Sequence, residues 1–222
     1  MVIPTFNENS AVLRSTLTDV VNSGYSAVVV DDGSTTPAQE CLHGLPTHCL
    51  RHAVNLGQGA ALRTGCELAL SKGACVIVHF DADGQHDPAL IERLIAPIIR
   101  GDADVALGSR FLNPSDRLGV PLTKRLLLRA GIFVSWIFTG VWLSDAHNGL
   151  RAMSRKAAGQ IRLEENGFAH ATEILDLLRR SRLPWVEVPV AIHYSEYSRG
   201  KGQSVFNAFN IVIDLMLRRL FH

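Results

Sequence analysis

Short apolar runs rich in Val and Ile recur along the chain and alternate with longer stretches in which apolar residues fall every three or four positions. Continuous runs of this length suit strands buried on both faces, and the 3.6-residue period suits helices with one buried face. The alternation predicts an α/β fold, a mainly parallel sheet flanked by helices. Strands are expected at 2–3, 27–31, 48–52, 74–80, 103–107 and 185–192. Helices are expected at 10–23, 37–42, 59–71, 88–100, 122–139, 171–181 and 204–220.

In an open parallel sheet, ligands bind beyond the carboxyl ends of the strands. The unusual residues of this chain fall there: Pro4 to Glu8 after the first strand, Asp31 and Asp32 after the second, Asn55 to Gly59 after the third, and Asp81-Ala82-Asp83 after the fourth. Side chains at i and i+2 of a strand share a face, so Asp81 and Asp83 are expected to converge. Two such carboxylates raise each other's pKa unless a cation neutralises them, and oxygen ligands favour hard ions such as magnesium or manganese. Gln85 offers a further oxygen. The competing reading is a solvated turn, and for the neighbouring Asp87 and Pro88 a helix N-cap and first helical position suffice.

Asp32 or Asp31 can accept hydrogen bonds from a base or ribose. Gly57 and Gly59 let the backbone approach a ligand, and the helix that follows can offer N–H groups to a phosphate. Their spacing is neither the dinucleotide fingerprint nor a P-loop, which sets aside dehydrogenase and ATPase readings. Arg110 can grip a phosphate with both edges of its guanidinium.

A net charge of +1 over 222 residues gives no global field for nucleic acid. Basic residues cluster locally: Lys124, Arg125 and Arg129; Arg179, Arg180 and Arg182; Arg218 and Arg219. The cysteines Cys41, Cys49, Cys66 and Cys75 form no C-x-x-C pair, as expected of a reducing compartment. Cys41, His43, His48, Cys49 and His52 lie close together but match no common zinc spacing. No signal peptide is evident, and the very short first strand suggests that a few residues precede Met1. The uncharged stretch 130–143 falls short of the roughly 20 residues that span a bilayer. Residues 203–222 read as an amphipathic helix suited to a membrane interface or to a core.

The segments VIPTFNE (2–8), VVVDDGST (28–35), NLGQGAALRTG (55–65), FDADGQHDP (80–88), GSRF (108–111) and DAHNGLRAMSR (145–155) together resemble family-2 glycosyltransferases, in the dolichol-phosphate mannosyltransferase-like branch. The resemblance spans nearly the whole chain in order. It implies a GT-A fold over residues 1–202, a GDP- or UDP-sugar donor, Mg2+ or Mn2+, and inversion at the anomeric carbon. By position, Pro4, Phe6, Glu8, Val30 and Asp32 would line the nucleoside pocket. Asp81, Ala82, Asp83 and Gln85 would hold the diphosphate, with Asp81, Asp83 and Gln85 as metal ligands. Arg110 and Lys201 would contact the diphosphate or the acceptor phosphate. The chain departs from the branch at Ser195, where an Arg is usual; Arg199 stands nearby.

The acceptor decides whether a base is needed. A lipid phosphate, with a second pKa of about 6, is largely dianionic and attacks unaided, whereas a sugar hydroxyl needs a base. Asp145 and Glu173 are the catalytic candidates, each with a plain alternative as a turn or surface-helix residue. Lys124, Arg125 and Arg129 beside the apolar 130–143 stretch suit a lipid phosphate and its tail. The expected activity is metal-dependent transfer of a hexose to a polyprenyl phosphate by an enzyme in the cytoplasm, peripheral at the inner membrane face. Transfer to a saccharide hydroxyl and a non-catalytic nucleotide-sugar binder are the alternatives, and a homo-oligomer is left open.

Overall fold

A computed structural model describes residues 1–113, 132, 136–137, 140–145, 148–167 and 170–192. Among these residues a seven-stranded sheet comprises β1 (Val2–Thr5), β2 (Ala27–Asp31), β3 (Thr47–Arg51), β4 (Val76–His79), β5 (Val105–Ser109), β6 (Arg151–Ser154) and β7 (Trp185–Pro189). Packed with it are α1 (Ser10–Asn22), α2 (Ala38–Cys41), α3 (Gln58–Ser71), α4 (Leu90–Ile99), α5 (Arg155–Gln160) and α6 (His170–Ser181).

The strand order is β3-β2-β1-β4-β6-β5-β7. Antiparallel β6 lies between β4 and β5, and the remaining pairs are parallel. The expected mainly parallel α/β architecture therefore holds. The chain starts at β1, steps outward to β3, and then crosses back to place β4 on the other side of β1. Connections from β1 and β4 leave in opposite directions, and the crevice between them is where such sheets accept ligands.

Strand periodicity sorts the core onto two faces. Val2, Val28, Val30 and Ile77 pack with Ala61 and Leu62 of α3 and with Ile174, Leu175 and Leu178 of α6. Ile3, Val29 and Val78 pack with Leu13, Leu17 and Val20 of α1 and with Ile91 and Leu94 of α4. Each large aliphatic side chain so buried contributes about 1.5–3 kcal/mol. Asn9 starts α1 by accepting hydrogen bonds from the N–H groups of Ala11 and Val12 on Oδ1, at 2.9 and 3.3 Å.

Three features differ from the sequence reading. Strand β6 and helix α5 were not expected, because Arg-Ala-Met-Ser lacks a β-branched run. Helix α4 begins at Leu90, with Asp87 bonding the Ala89 N–H at 2.8 Å just before it. The expected helix 122–139 falls almost wholly, and the amphipathic segment 203–222 entirely, outside the described residues. No helix among the described residues is long and apolar enough to cross a membrane.

Candidate active site

A cleft of about 540 Å³ opens where β1, β2 and β4 end. Pro4, Thr5, Phe6 and Glu8 reach it from β1, Asp32 from β2, Asn55, Gly57 and Gln58 from the entrance to α3, and Asp81, Ala82 and Asp83 from β4. The unusual residues of four strand ends thus converge on one space. Phe6 presents an exposed ring there, 47% accessible.

Strand β4 stops at His79, so Asp81 and Asp83 lie in a turn; both still line the cleft. Asp81 rests against Gly149, where a Cβ would come within 2.3 Å of Oδ2. The same oxygen faces Nε2 of buried His86 at 3.4 Å. Burial pushes the Asp81 carboxyl up, but the His86 contact and the charge of Arg151 on β6 outweigh it and hold the carboxyl below its ordinary range. Asp83 goes the other way. Burial, and then the negative charge of Asp81, raise its carboxyl. Gln85 does not line the cleft; its backbone N–H donates to Asp83 Oδ1 at 3.1 Å and its side-chain amide to Oδ2.

The two aspartates after β2 divide their work. Asp31 is structural: it accepts from the N–H groups of Ser34 and Ala38 at 2.8 and 2.9 Å and from Arg51 Nη1 at 2.8 Å. Asp32 lines the cleft and folds the next loop onto itself. Its Oδ1 meets His52 Nδ1 at 2.7 Å and the Leu56 N–H at 3.0 Å, and its Oδ2 accepts the Gly57 N–H at 2.7 Å. His52, which the sequence grouped with Cys41, His43, His48 and Cys49, is therefore committed to Asp32. Cys41 Sγ instead faces the Ala38 carbonyl at 3.1 Å.

The start of α3 is less open to phosphate than its glycines suggested. The Asn166 carbonyl accepts from Gly59 and Ala60 at 2.8 and 3.3 Å. At Gly59 a Cβ would meet the Glu165 carbonyl at 1.9 Å, so this glycine admits a neighbouring loop, not a ligand. Arg63 secures the same loop through the Leu163 carbonyl at 2.9 Å. Glu173 secures its other side, accepting from the N–H groups of Glu164 and Glu165 at 2.8 and 3.0 Å. Burial raises the Glu173 carboxyl, with the nearby Glu165 and Glu164 adding to the rise against those two hydrogen bonds.

Arg110 and Asp145 meet each other. Both are buried, and Nε and Nη2 of the arginine donate to Oδ2 and Oδ1 at 2.6 and 2.7 Å. Neither they nor Glu173 are among the residues that line the cleft. Val30 is fully buried beneath it in the core. Lys201, Ser195 and Arg199 lie outside the described residues, as do Lys124, Arg125 and Arg129. Sequence reasoning missed Thr5, whose buried hydroxyl has no partner among the described residues, and the roles of His52, Gly149 and Arg151. The place of His52 as the last residue of the expected strand 48–52, next to the loop that leads to Asn55, was the signal available for it.

The model of glycosyl transferase family 2 matches residues 1–162. The chain belongs to this family. Among its relatives, uncharacterized protein MJ1222 of Methanocaldococcus jannaschii is 34% identical over 100% of this chain and 92% of that protein. The UDP-N-acetylglucosamine--dolichyl-phosphate N-acetylglucosaminyltransferase of Methanococcus voltae is 29% identical over 99% of this chain and 95% of its own length. Glucosyl-3-phosphoglycerate synthase from Mycobacterium tuberculosis, solved with Mn2+, UDP-glucose and phosphoglyceric acid, shares the fold. Its TM-score is 0.65 at 17% identity, covering 96% of this chain and 77% of that one. The family and fold expected from the motifs are thus established, and the chain is a glycosyltransferase.

Proposed function

We propose that this glycosyltransferase moves a hexose from a nucleoside diphosphate to a polyprenyl phosphate, with inversion at the anomeric carbon, at the inner face of the membrane. The observation that carries the reading is the convergence of Asp32, Asp81 and Asp83 on one cleft at the switch point of the sheet. Phe6 gives a base an apolar face, and Pro4, Glu8 and Asp32 surround the nucleoside. Asp81 and Asp83 stand where a diphosphate follows.

The residues present fit a divalent ion. Two carboxylates face the cleft, one of them raised by burial and then by the charge of the other, and among the described residues no set of three or more His, Cys, Asp or Glu is arranged to hold a metal. Mg2+ or Mn2+ commonly takes one or two carboxylates together with substrate phosphates and water. When bound, such an ion neutralises charge on a departing diphosphate. The Mn2+ in the structurally similar synthase and the dolichyl-phosphate acceptor in the name of the Methanococcus voltae relative support this reading.

The hydrogen bonding of the two base candidates supports a phosphate acceptor. Asp145 is clasped by Arg110, and Glu173 is occupied by two backbone N–H groups. Neither is placed to deprotonate a hydroxyl in the cleft. A dianionic lipid phosphate needs no base. Lys124, Arg125 and Arg129, with Arg199 and Lys201, are the cations proposed to receive it.

The test is to incubate the full chain with labelled nucleotide sugars and Mn2+, offering polyprenyl phosphate or saccharide acceptors. Labelled lipid is expected, and Asp83→Ala abolishes it while leaving the fold intact. Transfer to saccharide alone would overturn the acceptor assignment. Donor binding indifferent to metal, with no turnover on any acceptor, would mark a non-catalytic binder.

A further inference from the structure

An ionised carboxylate has about four lone-pair positions for hydrogen bonds. Asp32 fills three of them from within the chain. Oδ1 meets His52 Nδ1 and the Leu56 N–H, at 2.7 and 3.0 Å, and Oδ2 takes the Gly57 N–H at 2.7 Å. Among the described residues, one position, on Oδ2, is left. Because a carboxylate only accepts, His52 Nδ1 must carry its proton, and Nε2 is tied to the Thr64 hydroxyl at 2.9 Å. The ring is held at both ends, and its side chain is only 11% exposed.

The number of open positions discriminates among bases. Guanine presents two parallel donors, a ring N–H and an amino group, and pairs best with a carboxylate that has both oxygens open. Adenine and cytosine present an amino group beside a ring lone pair, which a carboxylate repels. Uracil presents one ring N–H between two carbonyl oxygens. A single donor suits the one open position. The uracil carbonyls in turn want donors, and the cleft supplies the side-chain amide of Asn55.

We propose that the donor is a uridine diphosphate sugar and that His52 is the residue setting that preference, by keeping Asp32 down to one open acceptor. The inference rests on the donor reading above. His52 is a positioning residue: it acts through Asp32.

Calorimetric titration of the full chain with UDP, GDP, CDP and ADP in the presence of Mn2+ tests it. UDP is expected to bind at least about tenfold more tightly than the others, a difference of roughly 1.4 kcal/mol. In His52→Leu, UDP binding weakens and the UDP-to-GDP preference narrows at least about fivefold, since Oδ1 regains an open position. His52→Asn, whose amide can replace the Nδ1 donor, keeps the preference. The ratio of two affinities measured on one preparation does not depend on the folded fraction, so partial unfolding of a variant leaves the result readable. Equal or tighter binding of GDP, CDP or ADP by the unaltered protein would overturn the uridine assignment while leaving the glycosyltransferase reading standing. An unchanged ratio in His52→Leu would remove His52 from it. Failure of every nucleotide to bind would overturn the donor reading and this inference together.

Discussion

The guanidinium of Arg110 clasps the carboxylate of Asp145 along both edges, Nε to Oδ2 at 2.6 Å and Nη2 to Oδ1 at 2.7 Å, across 35 residues of sequence. The Arg110 backbone N–H adds a third bond to the same carboxylate at 3.1 Å. Glu187 of β7 braces the adjoining residue, accepting from the Ser144 hydroxyl at 2.7 Å and the Ser144 N–H at 2.9 Å. The pair is an internal strut between the ends of β5 and the approach to β6.

Removing one member of a buried ion pair strands the other charge and costs about 3–5 kcal/mol. Asp145→Asn is therefore expected to lower the melting temperature by roughly 6–20 °C, at about 2–4 °C per kcal/mol for a chain of this size. Calorimetry measures the shift. Activity per folded molecule, assayed below the transition, stays within about tenfold of the unaltered protein. A loss near the upper end of the roughly 10²–10⁴-fold that a general base supplies, with the fold intact, would return Asp145 to that role.

Glu173 holds a loop through two backbone N–H groups, and its test is milder. Glu173→Gln keeps one acceptor oxygen and is expected to lose about 1 kcal/mol of stability. Transfer to the lipid acceptor remains within about threefold, well short of what loss of a base would remove. Initial-rate assays on the folded variant decide.

Much of the fold was legible because its strands are Val- and Ile-rich and its helices keep their period. Val28, Val29 and Val30 could be nothing but a buried strand, and β1 to β4 stood in their expected places. Strand β6 was not legible, since its central Ala152 and Met153 carry no strand preference and Arg151 reads as a surface residue; only antiparallel pairing with β4 and β5 makes it a strand. The site divides in the same way. That Phe6, Asp32, Asp81 and Asp83 belong together followed from their positions at strand ends. Which carboxylate is already spoken for did not, because the partners Arg110 of Asp145, His52 of Asp32 and Asn166 of the α3 start come from elsewhere in the chain. Hydrogen-bond pairing at long range leaves no periodic mark.

Gly149, two residues before β6, lies directly against the Asp81 carboxylate. A methyl group there would overlap Oδ2 at 2.3 Å and Oδ1 at 2.8 Å, so Gly149→Ala must push Asp81 out of its place. Mn2+-dependent donor binding is expected to weaken at least about tenfold, in keeping with the sensitivity of metal sites to the groups that orient their ligands. Far-UV circular dichroism should show the fold retained. Unweakened binding, by calorimetry with and without Mn2+, would mean that Asp81 is not required where the structure puts it.

His170 ties acid stability to the site's supporting loop. Its Nδ1 faces the Gly167 carbonyl at 2.8 Å, and burial, followed by the charge of Arg151, lowers its pKa from the ordinary 6.5 to about 4. Between those values the unfolded chain takes up a proton that the folded chain refuses. Stability is therefore complete above about pH 6.5 and declines as the pH falls towards 4. From pH 7 to pH 5 this one group removes on the order of 2 kcal/mol. His79, whose pKa burial brings to about 3, acts in the same direction. His170→Asn retains a donor for the Gly167 carbonyl but cannot titrate, so its urea midpoint should fall less than that of the unaltered protein between the two pH values. Equal falls in the two proteins would show that His170 enters the folded state already charged, and the burial argument would fail with it.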